Sequence, residues 1–430
     1  MEELPCTCSV CSSLTVEELR EQNSKERALL IAKHNTLLLE KEVKKVKAHI
    51  RAGSLREYVE LKVRSSPFLT AVLRLLDIEE EEYFEKRTPV ARNHGMMANT
   101  MESLKRIEVK RFASRVLERY EPPMRKILLL LPCSARKPYS LSPSHLKFRE
   151  AIERYRGRIH EIILTSPLGV VPRELELTYP AAFYDIPVTG YWDAEERDWV
   201  ASCLRAYLER NAKNYEQIVA HLNGAYKELC SGVADDLDIN VVYTCEEGED
   251  VTSKAALKRL KERIAELCGD TTRLSGFEKK PGMLRAMADY QFGLGAGNEL
   301  VSRREGEKMK INGKFPKYEL SVNGNVLARI VPEYGLLALT LKGALRIKQF
   351  LSSYTVHIGD FLPKGSIMAP GVVNADEHIR VNDEVIFVGE KAVGVGRAKM
   401  GGWEMVESRK GVAVDVREVE KRATSAKSTS

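Results

Sequence analysis

Apolar residues near the start of the chain recur every three to four positions, the spacing that places side chains on one face of an α-helix. Thr15 and Glu18 have the spacing of a capping box, which predicts a helix start at this point. The apolar spacing then continues until Gly53, which predicts the end of the helix. Two shorter helices are expected next, so the pattern predicts a helical region over residues 1–85. Residues 86–121 lack a clear period and are predicted to form a connection.

Between residues 122 and 271, short apolar runs alternate with segments of helical spacing. This alternation is typical of a mostly parallel sheet with helices on both faces. Ligands of such sheets bind beyond the carboxyl ends of the strands, so we expect the chemistry in the loops that follow them. His221 ends the third predicted strand, where a histidine is more often hydrogen-bonded structure than part of a site. The predicted strands cover residues 127–131, 161–165, 217–220 and 241–243.

After residue 272 the pattern changes to short β-type pieces separated by turn residues. Residues 345–423 are especially rich in short strands and glycine turns, which predicts a small β-barrel. The last residues, 424–430, are rich in Ser, Ala and Lys and are predicted to be unfolded. Turn-compatible pairs between residues 310 and 342 are Asn312-Gly313, Asn323-Gly324 and Tyr334-Gly335.

Composition restricts the class of protein. The 430 residues carry a formal net charge of +6, with 43% apolar and 30% charged residues, as in globular rather than disordered chains. No apolar run approaches the roughly 18 residues that a membrane span needs, and the acidic, cysteine-rich start is unlike a signal or transit peptide. We therefore expect a cytoplasmic protein of several domains without membrane contact. The mild positive charge is compatible with a nucleic-acid partner but does not require one.

The cysteines are distributed unevenly. Three of the eight crowd into the N-terminus, and a histidine follows on the predicted long helix. A Cys₃His set with no open position predicts structural Zn²⁺ rather than catalysis, and the alternative is three incidental cysteines and a surface histidine. The proposed ligands are Cys6, Cys8, Cys11 and His34. Cysteines on the predicted helices are expected to be buried filler, namely Cys203, Cys230 and Cys268.

The loop after the first predicted strand, residues 132–145, combines several reactive side chains. A thiol, a cation and acid–base groups within one loop form a composition suited to nucleophilic catalysis. The alternative is a proline-stiffened loop with a buried cysteine and a solvated lysine, and spacing alone leaves the two alternatives equal. The candidate catalytic residues are Cys133, Lys137, Tyr139, Ser142 and His145.

The sequence around the N-terminal cysteines, residues 6–55, resembles the end of the catalytic domain of archaeal tRNA-guanine transglycosylases, in which this ligand pattern holds zinc. The catalytic aspartates of that family lie upstream of the zinc site, and the chain begins just before it. The resemblance therefore implies a relative of these enzymes that does not carry out the exchange of the tRNA base on its own. It leaves open whether the chain works alone or needs a separate transglycosylase-like barrel subunit, and whether it forms a homodimer.

Residues 132–145 resemble the signature segment of archaeosine synthases, with Pro132 and Pro138 matching beside the five reactive residues, and residues 166–193 resemble the central domain of that family. The family acts on tRNA that carries 7-cyano-7-deazaguanine in the D-loop. It adds the ε-amine of free lysine to the nitrile, and a radical-SAM partner converts the lysine-linked amidine to archaeosine. The resemblance therefore implies an ATP-independent transferase, in agreement with a sequence that has no Walker-type phosphate loop.

This reaction assigns tasks to the side chains of the signature segment. A lysine ε-amine is mostly protonated at pH 7, so a base must remove a proton, and His145 is the natural candidate. The nitrile nitrogen gains negative charge, and Lys137 or Tyr139 could supply the hydrogen-bond donor. Cys133 either attacks the nitrile first, forming a thioimidate that lysine displaces, or only shapes the pocket. The two routes stay open.

Further residues are candidates for binding the substrate. The carboxylate of free lysine would suit Arg173 or Arg136, and its α-amine would suit an acid such as Glu174 or Asp185. Ser166, which follows the second predicted strand, is a further candidate. Adjacent arginine and glutamate residues could equally form a structural ion pair.

Two C-terminal segments resemble RNA-binding domains. Residues 354–405 resemble a PUA domain, a small β-barrel common in RNA-modifying enzymes, although Gly401 stands where that family usually has Ser. Residues 272–344 resemble the patch-forming domain that precedes it in transglycosylases. Glycine lets an RNA backbone approach closely, and basic side chains contact phosphates. The expected RNA-binding residues are Lys364, Gly371, Arg397 and Lys399.

The predicted fold is therefore multidomain α/β and α+β. It comprises an N-terminal zinc-stapled helical segment, a parallel-sheet α/β catalytic domain over residues 122–271, a small α+β patch domain and a β-barrel PUA domain. The predicted function is archaeosine synthesis on tRNA. The main alternative is a non-catalytic tRNA-binding subunit of a split transglycosylase, which would have no reason to carry the signature segment. A cysteine-dependent hydrolase with an RNA-binding tail would leave the N-terminal resemblance unexplained.

Overall fold

The computed structural model describes residues 3–187, 191–269 and 279–422. They form two compact units, Met1–Thr70 and Ala71–Ser430. None of the helices in the described ranges combines the length and the apolar character that crossing a bilayer requires. The tail predicted over residues 424–430 lies outside the described residues.

The N-terminal unit is helical, as its apolar spacing predicts. The capping box of Thr15 and Glu18 is confirmed, and Gly53 ends the long helix in a left-handed conformation with a φ of 71°. The single helix expected between them is divided in two, because the Asn23 side chain accepts hydrogen bonds from two backbone N–H groups of the following turn and starts a new helix. The helices are α1 (Val16–Glu21), α2 (Ser24–Ala52) and α3 (Leu55–Val63).

The stretch predicted to be an irregular connection contains a buried helix. After α4 (Pro67–Glu79) and α5 (Glu81–Arg87), the chain forms α6 (Ile107–Arg119). Val109 and Phe112 of α6 are fully buried, so one face of the helix belongs to the domain core. The apolar residues of α6 recur at helical spacing with charged residues on the opposite face, so the sequence does carry the signal of a helix that the predicted connection overlooks.

The α/β domain follows the predicted alternation of strands and helices. All four predicted strands are present and run parallel in one sheet. An antiparallel edge strand that the pattern does not predict extends this sheet. The strands are β1 (Met96–Met97), β2 (Ile127–Pro132), β3 (Ile159–Thr165), β4 (Gly169–Pro172), β5 (Tyr184–Asp185), β6 (Gln217–Ala220) and β7 (Val241–Tyr243). The five-stranded sheet has the order β4-β3-β2-β6-β7, and β1 pairs with β5.

Helices cover both faces of the sheet, as expected for buried parallel strands. The helices are α7 (Pro143–Ile152), α8 (Ala194–Asn211), α9 (Ala225–Asp236) and α10 (Lys254–Cys268). One face packs on α7 and α10 through residues such as Phe148 and Ile264, and the other packs on α6, α8 and α9. The prediction that Cys203, Cys230 and Cys268 are buried on helices is confirmed.

The order of the strands creates a switch point at the centre of the sheet. From β2 the chain continues to β3 on one side, and it later returns to β6 on the other side of β2. Such a reversal leaves a crevice outside the carboxyl ends of the two strands. By this rule the crevice of this chain is expected between the residues after β2, which begin with Cys133, and those after β6, which begin with His221.

The next domain is an antiparallel meander with helices. Its elements are α11 (Lys279–Phe292), α12 (Ala296–Val301), β8 (Met309–Lys314), β9 (Lys317–Val322), β10 (Asn325–Val331), β11 (Leu336–Leu339) and α13 (Leu341–Arg346). The turns at Asn323-Gly324 and Tyr334-Gly335 are confirmed, with φ values of 51°, 80° and 64° at Asn323, Gly324 and Gly335. The predicted turn at Asn312-Gly313 is wrong. Both residues lie in β8, because a loop two residues later pairs the buried Ile311 with Leu320.

The last domain contains the predicted short strands. They are β12 (Thr355–Ile358), β13 (Ser366–Met368), β14 (Val372–Ala375), β15 (Glu384–Val388), β16 (Ala392–Ala398) and β17 (Val412–Lys421), with the short helix α14 (Gly402–Glu407) before the last strand. They form one mixed sheet with the order β13-β17-β16-β15-β12-β14. The domain has a core of its own, which includes Val356, Ile367 and Phe387.

Candidate functional site

The four predicted metal ligands come together in the N-terminal unit. One ligand atom from each of Cys6, Cys8, Cys11 and His34 lies within 4.8 Å of all the others. Nδ1 of His34 is 3.1 Å from Sγ of Cys11 and 3.4 Å from Sγ of Cys8. A hydrogen bond from the Cys11 backbone, followed by the contact with His34, lowers the pKa of the Cys8 thiol to about 6. Three thiols and one imidazole at this spacing fit the tetrahedral donor set of a structural metal ion.

Cys133 lies at the switch-point crevice as the first residue after β2. Its side chain is half-buried, and Sγ is 3.0 Å from the hydroxyl of Tyr226, a residue in the first turn of α9. The Tyr226 ring packs against Trp192, with 4.4 Å between ring centroids. Burial, followed by the neighbouring Cys133, raises the pKa of Tyr226. The tyrosine hydroxyl therefore stays protonated and can donate a hydrogen bond to sulfur.

Lys137 extends into an aromatic environment near the same crevice. Its Nζ lies 4.0 Å from the centre of the Tyr184 ring. Within the described part of the chain, Nζ is buried without a hydrogen-bond partner. Burial lowers the pKa of Lys137, and the charges of Cys133 and Asp185 oppose this shift. Since a buried ammonium group without acceptors is costly, Lys137 is available to donate to a ligand in the crevice.

Tyr139 belongs to a row of hydroxyl groups that fastens the loop to β3. Its Oη is 2.6 Å from Oη of Tyr184, which is 2.5 Å from Oγ1 of Thr165, the last residue of β3. Tyr139 and Tyr184 are both buried, and burial raises the pKa of each. The Tyr139 hydroxyl is therefore engaged in packing the loop rather than directed at the crevice.

Ser142 and His145 hold the start of α7. The Ser142 hydroxyl accepts a hydrogen bond from the backbone N–H of His145 at 3.2 Å and caps the helix. The buried His145 ring donates from Nε2 to the carbonyl oxygen of Pro132 at 3.0 Å and accepts at Nδ1 from Arg173 at 2.8 Å. Burial, followed by the charge of Arg173, lowers the pKa of His145 to about 3. In this arrangement both ring nitrogens are occupied, and neither is free to take a proton from a substrate.

Arg173 is the centre of a buried ion-pair network. Its guanidinium donates to Glu161 at 2.9 Å and to Glu176 at 3.2 Å, besides the bond to His145. Burial would raise the pKa of Glu161, but Arg173 and Arg156 outweigh it and lower the pKa to about 2. The network thus connects β3, the signature segment and the residues after β4.

The remaining substrate-binding candidates have different surroundings. Glu174 accepts a hydrogen bond from the Tyr120 hydroxyl at 3.0 Å, so its partner is not the adjacent arginine. Ser166 is buried and donates to Glu196 at 2.7 Å. Arg136 and Asp185 are exposed, and Asp185 is near enough to act on the pKa of Lys137.

His221 has the structural role that the sequence favours. Its ring is fully buried, with Nδ1 at 2.7 Å from the Thr244 hydroxyl and Nε2 at 2.7 Å from the carbonyl oxygen of Val251. Burial lowers its pKa. These contacts fix the neutral ring between the ends of β6 and β7.

Sequence reasoning did not identify Tyr226, although the structure places it in contact with Cys133. The two residues are 93 positions apart, and Tyr226 lies three residues beyond the predicted strand-end residues around His221 and Asn223. The sequence did contain one signal, the place of Tyr226 just after the strand β6, because the crevice of a doubly wound sheet is lined by residues that follow the strands on both sides of the switch point. Residues at the start of the helix after β6 were therefore candidates.

The predicted RNA-binding residues have different surroundings. Lys364 is exposed, and Lys399 is exposed with Asp415 at 3.6 Å. Gly371 is half-buried, and its carbonyl oxygen accepts from the Gly359 N–H at 3.0 Å. Arg397 stacks on the Tyr334 ring of the preceding domain at 3.7 Å from the centroid. The arginine therefore joins two domains, whereas the two lysines are open to a ligand.

Family profiles cover four parts of the chain. Residues 2–67 match the queuine tRNA-ribosyltransferase family, and residues 109–264 match a domain of unknown function, DUF5591. Residues 282–353 match the patch-forming domain C2 of tRNA-guanine transglycosylase, and residues 358–419 match the PUA domain. The predicted multidomain α/β and α+β architecture, with patch-forming and PUA domains, is confirmed.

Curated relatives are similar over almost the whole chain. An archaeosine synthase subunit alpha of Methanosarcina acetivorans is 50% identical over 97% of this chain and 66% of the relative. An archaeosine synthase of Haloferax volcanii is 42% identical over 98% of this chain and 69% of the relative. A tRNA-guanine(15) transglycosylase of Methanosphaera stadtmanae is 29% identical over 97% of this chain and 59% of the relative. The chain spans about two thirds of the length of the curated relatives that it matches.

A solved structure supports the same assignment of the fold. The crystal structure of a protein of unknown function is 36% identical, with a TM-score of 0.58, and the match covers 72% of this chain and 99% of that one. Taken with the curated relatives, these findings show that the chain belongs to the archaeosine synthase family.

Proposed function

We propose that the protein is an archaeosine synthase acting on tRNA, which adds the ε-amine of free lysine to the nitrile of 7-cyano-7-deazaguanine in the D-loop without ATP. Family membership supports the reaction class, and the patch-forming and PUA domains supply surfaces suited to holding tRNA. The observation that carries the proposal is the crevice at the switch point, where the Cys133 thiol, the Tyr226 hydroxyl and the buried Lys137 ammonium group converge.

In the proposed mechanism Cys133 adds to the nitrile carbon. The sulfur–carbon bond forms, one nitrile π-bond breaks, and the thiol proton ends on the nitrile nitrogen, which gives a thioimidate. The lysine amine then attacks the same carbon, the carbon–sulfur bond breaks, and one amine proton returns to the Cys133 sulfur. The product is a lysine-linked amidine, and the enzyme is regenerated without an oxidant or a nucleotide.

Lys137 and Tyr226 are the proposed helpers of Cys133. The Lys137 ammonium group has donors to spare in a water-poor environment, and it would stabilise the negative charge that develops on the nitrile nitrogen. The Tyr226 hydroxyl would donate to the sulfur when it carries negative charge. Since the Tyr139 hydroxyl is hydrogen-bonded to Tyr184, Lys137 is the better candidate to donate a hydrogen bond to the nitrile nitrogen.

His145 is proposed to be a positioning residue rather than the base. Its two ring nitrogens hold Pro132 and Arg173, so it fixes the residue before Cys133 to the ion-pair network. Arg173 and Glu174 are likewise engaged with other protein groups. The contacts to free lysine therefore fall to the exposed Arg136, for the carboxylate, and the exposed Asp185, for the α-amine.

The N-terminal cluster is proposed to bind structural Zn²⁺. The Cys₃His donor set leaves no position for a substrate once four ligands are bound. The metal would attach the Cys6–Cys11 segment to α2 through His34. It would stabilise the unit and take no part in the reaction at the crevice.

Two partners are proposed from the chemistry. The amidine product still contains the lysine carbon skeleton, so a further enzyme must break the bond between the amidine nitrogen and the lysine side chain, and the family resemblance implies a radical-SAM enzyme for this step. A separate transglycosylase-like barrel subunit is proposed from the match of the N-terminal unit to the queuine tRNA-ribosyltransferase family and from the name subunit alpha that several relatives carry.

The test is to incubate the purified protein with tRNA bearing 7-cyano-7-deazaguanine and free lysine, and to weigh the released nucleoside by mass spectrometry. A gain of one whole lysine supports the proposal, and the absence of a gain from protein that binds tRNA supports the role of a tRNA-binding transglycosylase subunit. Cys133→Ala separates the two routes, because it abolishes thioimidate chemistry but leaves direct attack possible. A protein–tRNA adduct formed when lysine is omitted, and absent in Cys133→Ala, would identify the thioimidate.

A further inference from the structure

A basic groove lies beside the signature segment. It has a volume of about 400 Å³ and runs between the α/β domain and the patch-forming domain. Ser140 and Leu141 of the signature segment form part of one wall, and Phe315 and Tyr318 of the β8–β9 hairpin form part of the other. The groove is therefore lined on one side by the signature segment and on the other by the patch-forming domain, whose family is named after tRNA-guanine transglycosylase.

The charges of the groove are not balanced. Its lining includes five cations and three carboxylates, an excess of two positive charges: Arg125, Arg149, Arg156, Arg173 and Lys280 against Glu161, Glu174 and Glu176. The carboxylates are already used, since Glu161 and Glu176 bind Arg173, and Glu174 binds Tyr120. Arg156 also lies 3.4 Å from Glu161, so Arg156 and Arg173 are balanced by Glu161 and Glu176. The excess of two positive charges is what Arg125, Arg149 and Lys280 leave against Glu174.

These three cations have no carboxylate partner among the described residues. Arg125 makes only a 3.5 Å contact with the carbonyl oxygen of Met124, and Lys280 lies 3.4 Å from the carbonyl oxygen of Gly313. Arg149 is half-buried on α7, and the structure gives it neither an ion pair nor a hydrogen bond within the described ranges. Cations that line a concave surface with aromatic side chains are suited to phosphates on one side and to a ribose or base on the other.

We infer that this groove binds the phosphate backbone of the tRNA close to the modified nucleotide, with Arg125, Arg149 and Lys280 contacting phosphates. The aromatic wall of Phe315 and Tyr318 packs against a ribose or an unstacked base of the same strand. This inference rests on the proposed function, because it names the part of the protein that brings the RNA strand to the signature segment. It adds a binding site in the α/β domain to those expected in the PUA domain.

An acidic peptide of a partner protein would also suit excess positive charge, but the observations favour RNA. The cations lie on two helices, α7 and α11, and on the segment before β2, which matches the repeated charge of a backbone. The next domain along the chain matches the PUA family, for which the sequence analysis also predicts RNA binding.

The experiment measures binding of an unmodified tRNA transcript by fluorescence anisotropy at several salt concentrations, without lysine. Arg149→Glu and Lys280→Glu are expected to weaken binding on the order of tenfold each and to make the slope of log affinity against log salt shallower by roughly one. Lys147→Glu is the matched control, because Lys147 is exposed on the same helix and does not line the groove. It is expected to change affinity less than about threefold.

Two results would overturn the inference: affinity within about threefold of the wild type for both groove variants, or an equal loss for Lys147→Glu. If a charge reversal unfolds the domain in thermal denaturation, Arg149→Gln and Lys280→Gln are measured instead. A loss of about threefold each is then expected, and affinities equal to that of the wild type within the error of the measurement would overturn the inference. Loss of binding in the groove variants combined with no lysine addition by the wild type would refute the proposed function and leave the groove standing. Normal binding by these variants combined with lysine addition would refute the groove alone.

Discussion

Replacing Arg173 by Met would distinguish a structural from a substrate-binding role for this arginine. The guanidinium is only 11% exposed and is the shared partner of Glu161, Glu176 and His145. Removing one member of a buried ion pair leaves uncompensated charge and costs about 3–5 kcal/mol. We expect Arg173→Met to lower the free energy of unfolding of the α/β domain by that amount at pH 7.

The pH dependence of this loss can be worked out from Glu161. Its pKa is lowered from 4.5 to about 2 in the folded protein, a difference worth roughly 3 kcal/mol. A lowered carboxyl pKa stabilises the fold above the unfolded value of about 4.5, and this contribution disappears as the pH falls towards 2. Without Arg173, burial would instead raise the pKa of Glu161. The difference in free energy of unfolding between the wild type and Arg173→Met should therefore shrink as the pH falls from 7 to 4.

Urea unfolding is followed by tryptophan fluorescence in a Trp403→Phe background, so that the signal comes from Trp192 and Trp199 of this domain. Arg149→Met is the matched control, since Arg149 has no ion pair in the described residues, and it should cost less than about 1 kcal/mol. A loss below about 1 kcal/mol for Arg173→Met, or a loss that is equal at pH 7 and pH 4, would refute the network. A raised KM for lysine at unchanged stability would then restore Arg173 as a substrate ligand.

Three further predictions concern other parts of the chain. Metal analysis should find about one Zn²⁺ per chain. Cys11→Ser should lose both the bound metal and the protection of α2 amides from hydrogen exchange. Full protection of these amides after metal loss would contradict the proposal that the metal holds the N-terminal segment on α2. Gly335→Ala should lower the free energy of unfolding by about 3 kcal/mol or more, because φ is 64° and the new Cβ would lie 2.4 Å from the Leu177 carbonyl oxygen. The control Gly306→Ala, with φ of 77° and open space around the new Cβ, should lower it by only about 1 kcal/mol. Equal melting temperatures of the two variants would contradict this prediction. Lys399→Ala should weaken tRNA binding and make its salt dependence shallower, and an unchanged salt slope would remove Lys399 from the RNA-binding surface.

The sheet of the α/β domain was predictable because each parallel strand is a continuous apolar run. Residues 127–131 and 217–220 differ from β2 and β6 by at most one residue. The start of α2 was not predictable from the same pattern, since Asn23 overrides the apolar spacing through a local hydrogen bond. Patterns of hydrophobicity thus identify helices and strands whose position is determined by burial of apolar residues. They miss helix boundaries that are set by a hydrogen bond of a single polar side chain.

The site was less predictable, because its contacts depend on the fold. From the sequence, Arg173 and Glu174 are neighbours and could form an ion pair. In the structure Arg173 binds Glu161 on β3, which lies 12 residues earlier. Tyr226 shows the same limitation more strongly, since only the strand order brings it to Cys133.

The signature segment therefore combines two kinds of residue at fixed spacing. Cys133 and Lys137 are the proposed reacting groups. The Cys133 thiol contacts the Tyr226 hydroxyl, and the buried Lys137 ammonium group has no hydrogen-bond partner among the described residues, which is costly unless a ligand supplies one. Tyr139 and His145 have every polar atom engaged by other protein groups, and they hold the loop that carries the first two. Substitutions of the first pair should abolish chemistry at unchanged stability, whereas substitutions of the second pair should lower both. The same motif thus contains both the reacting groups and the scaffold that positions them.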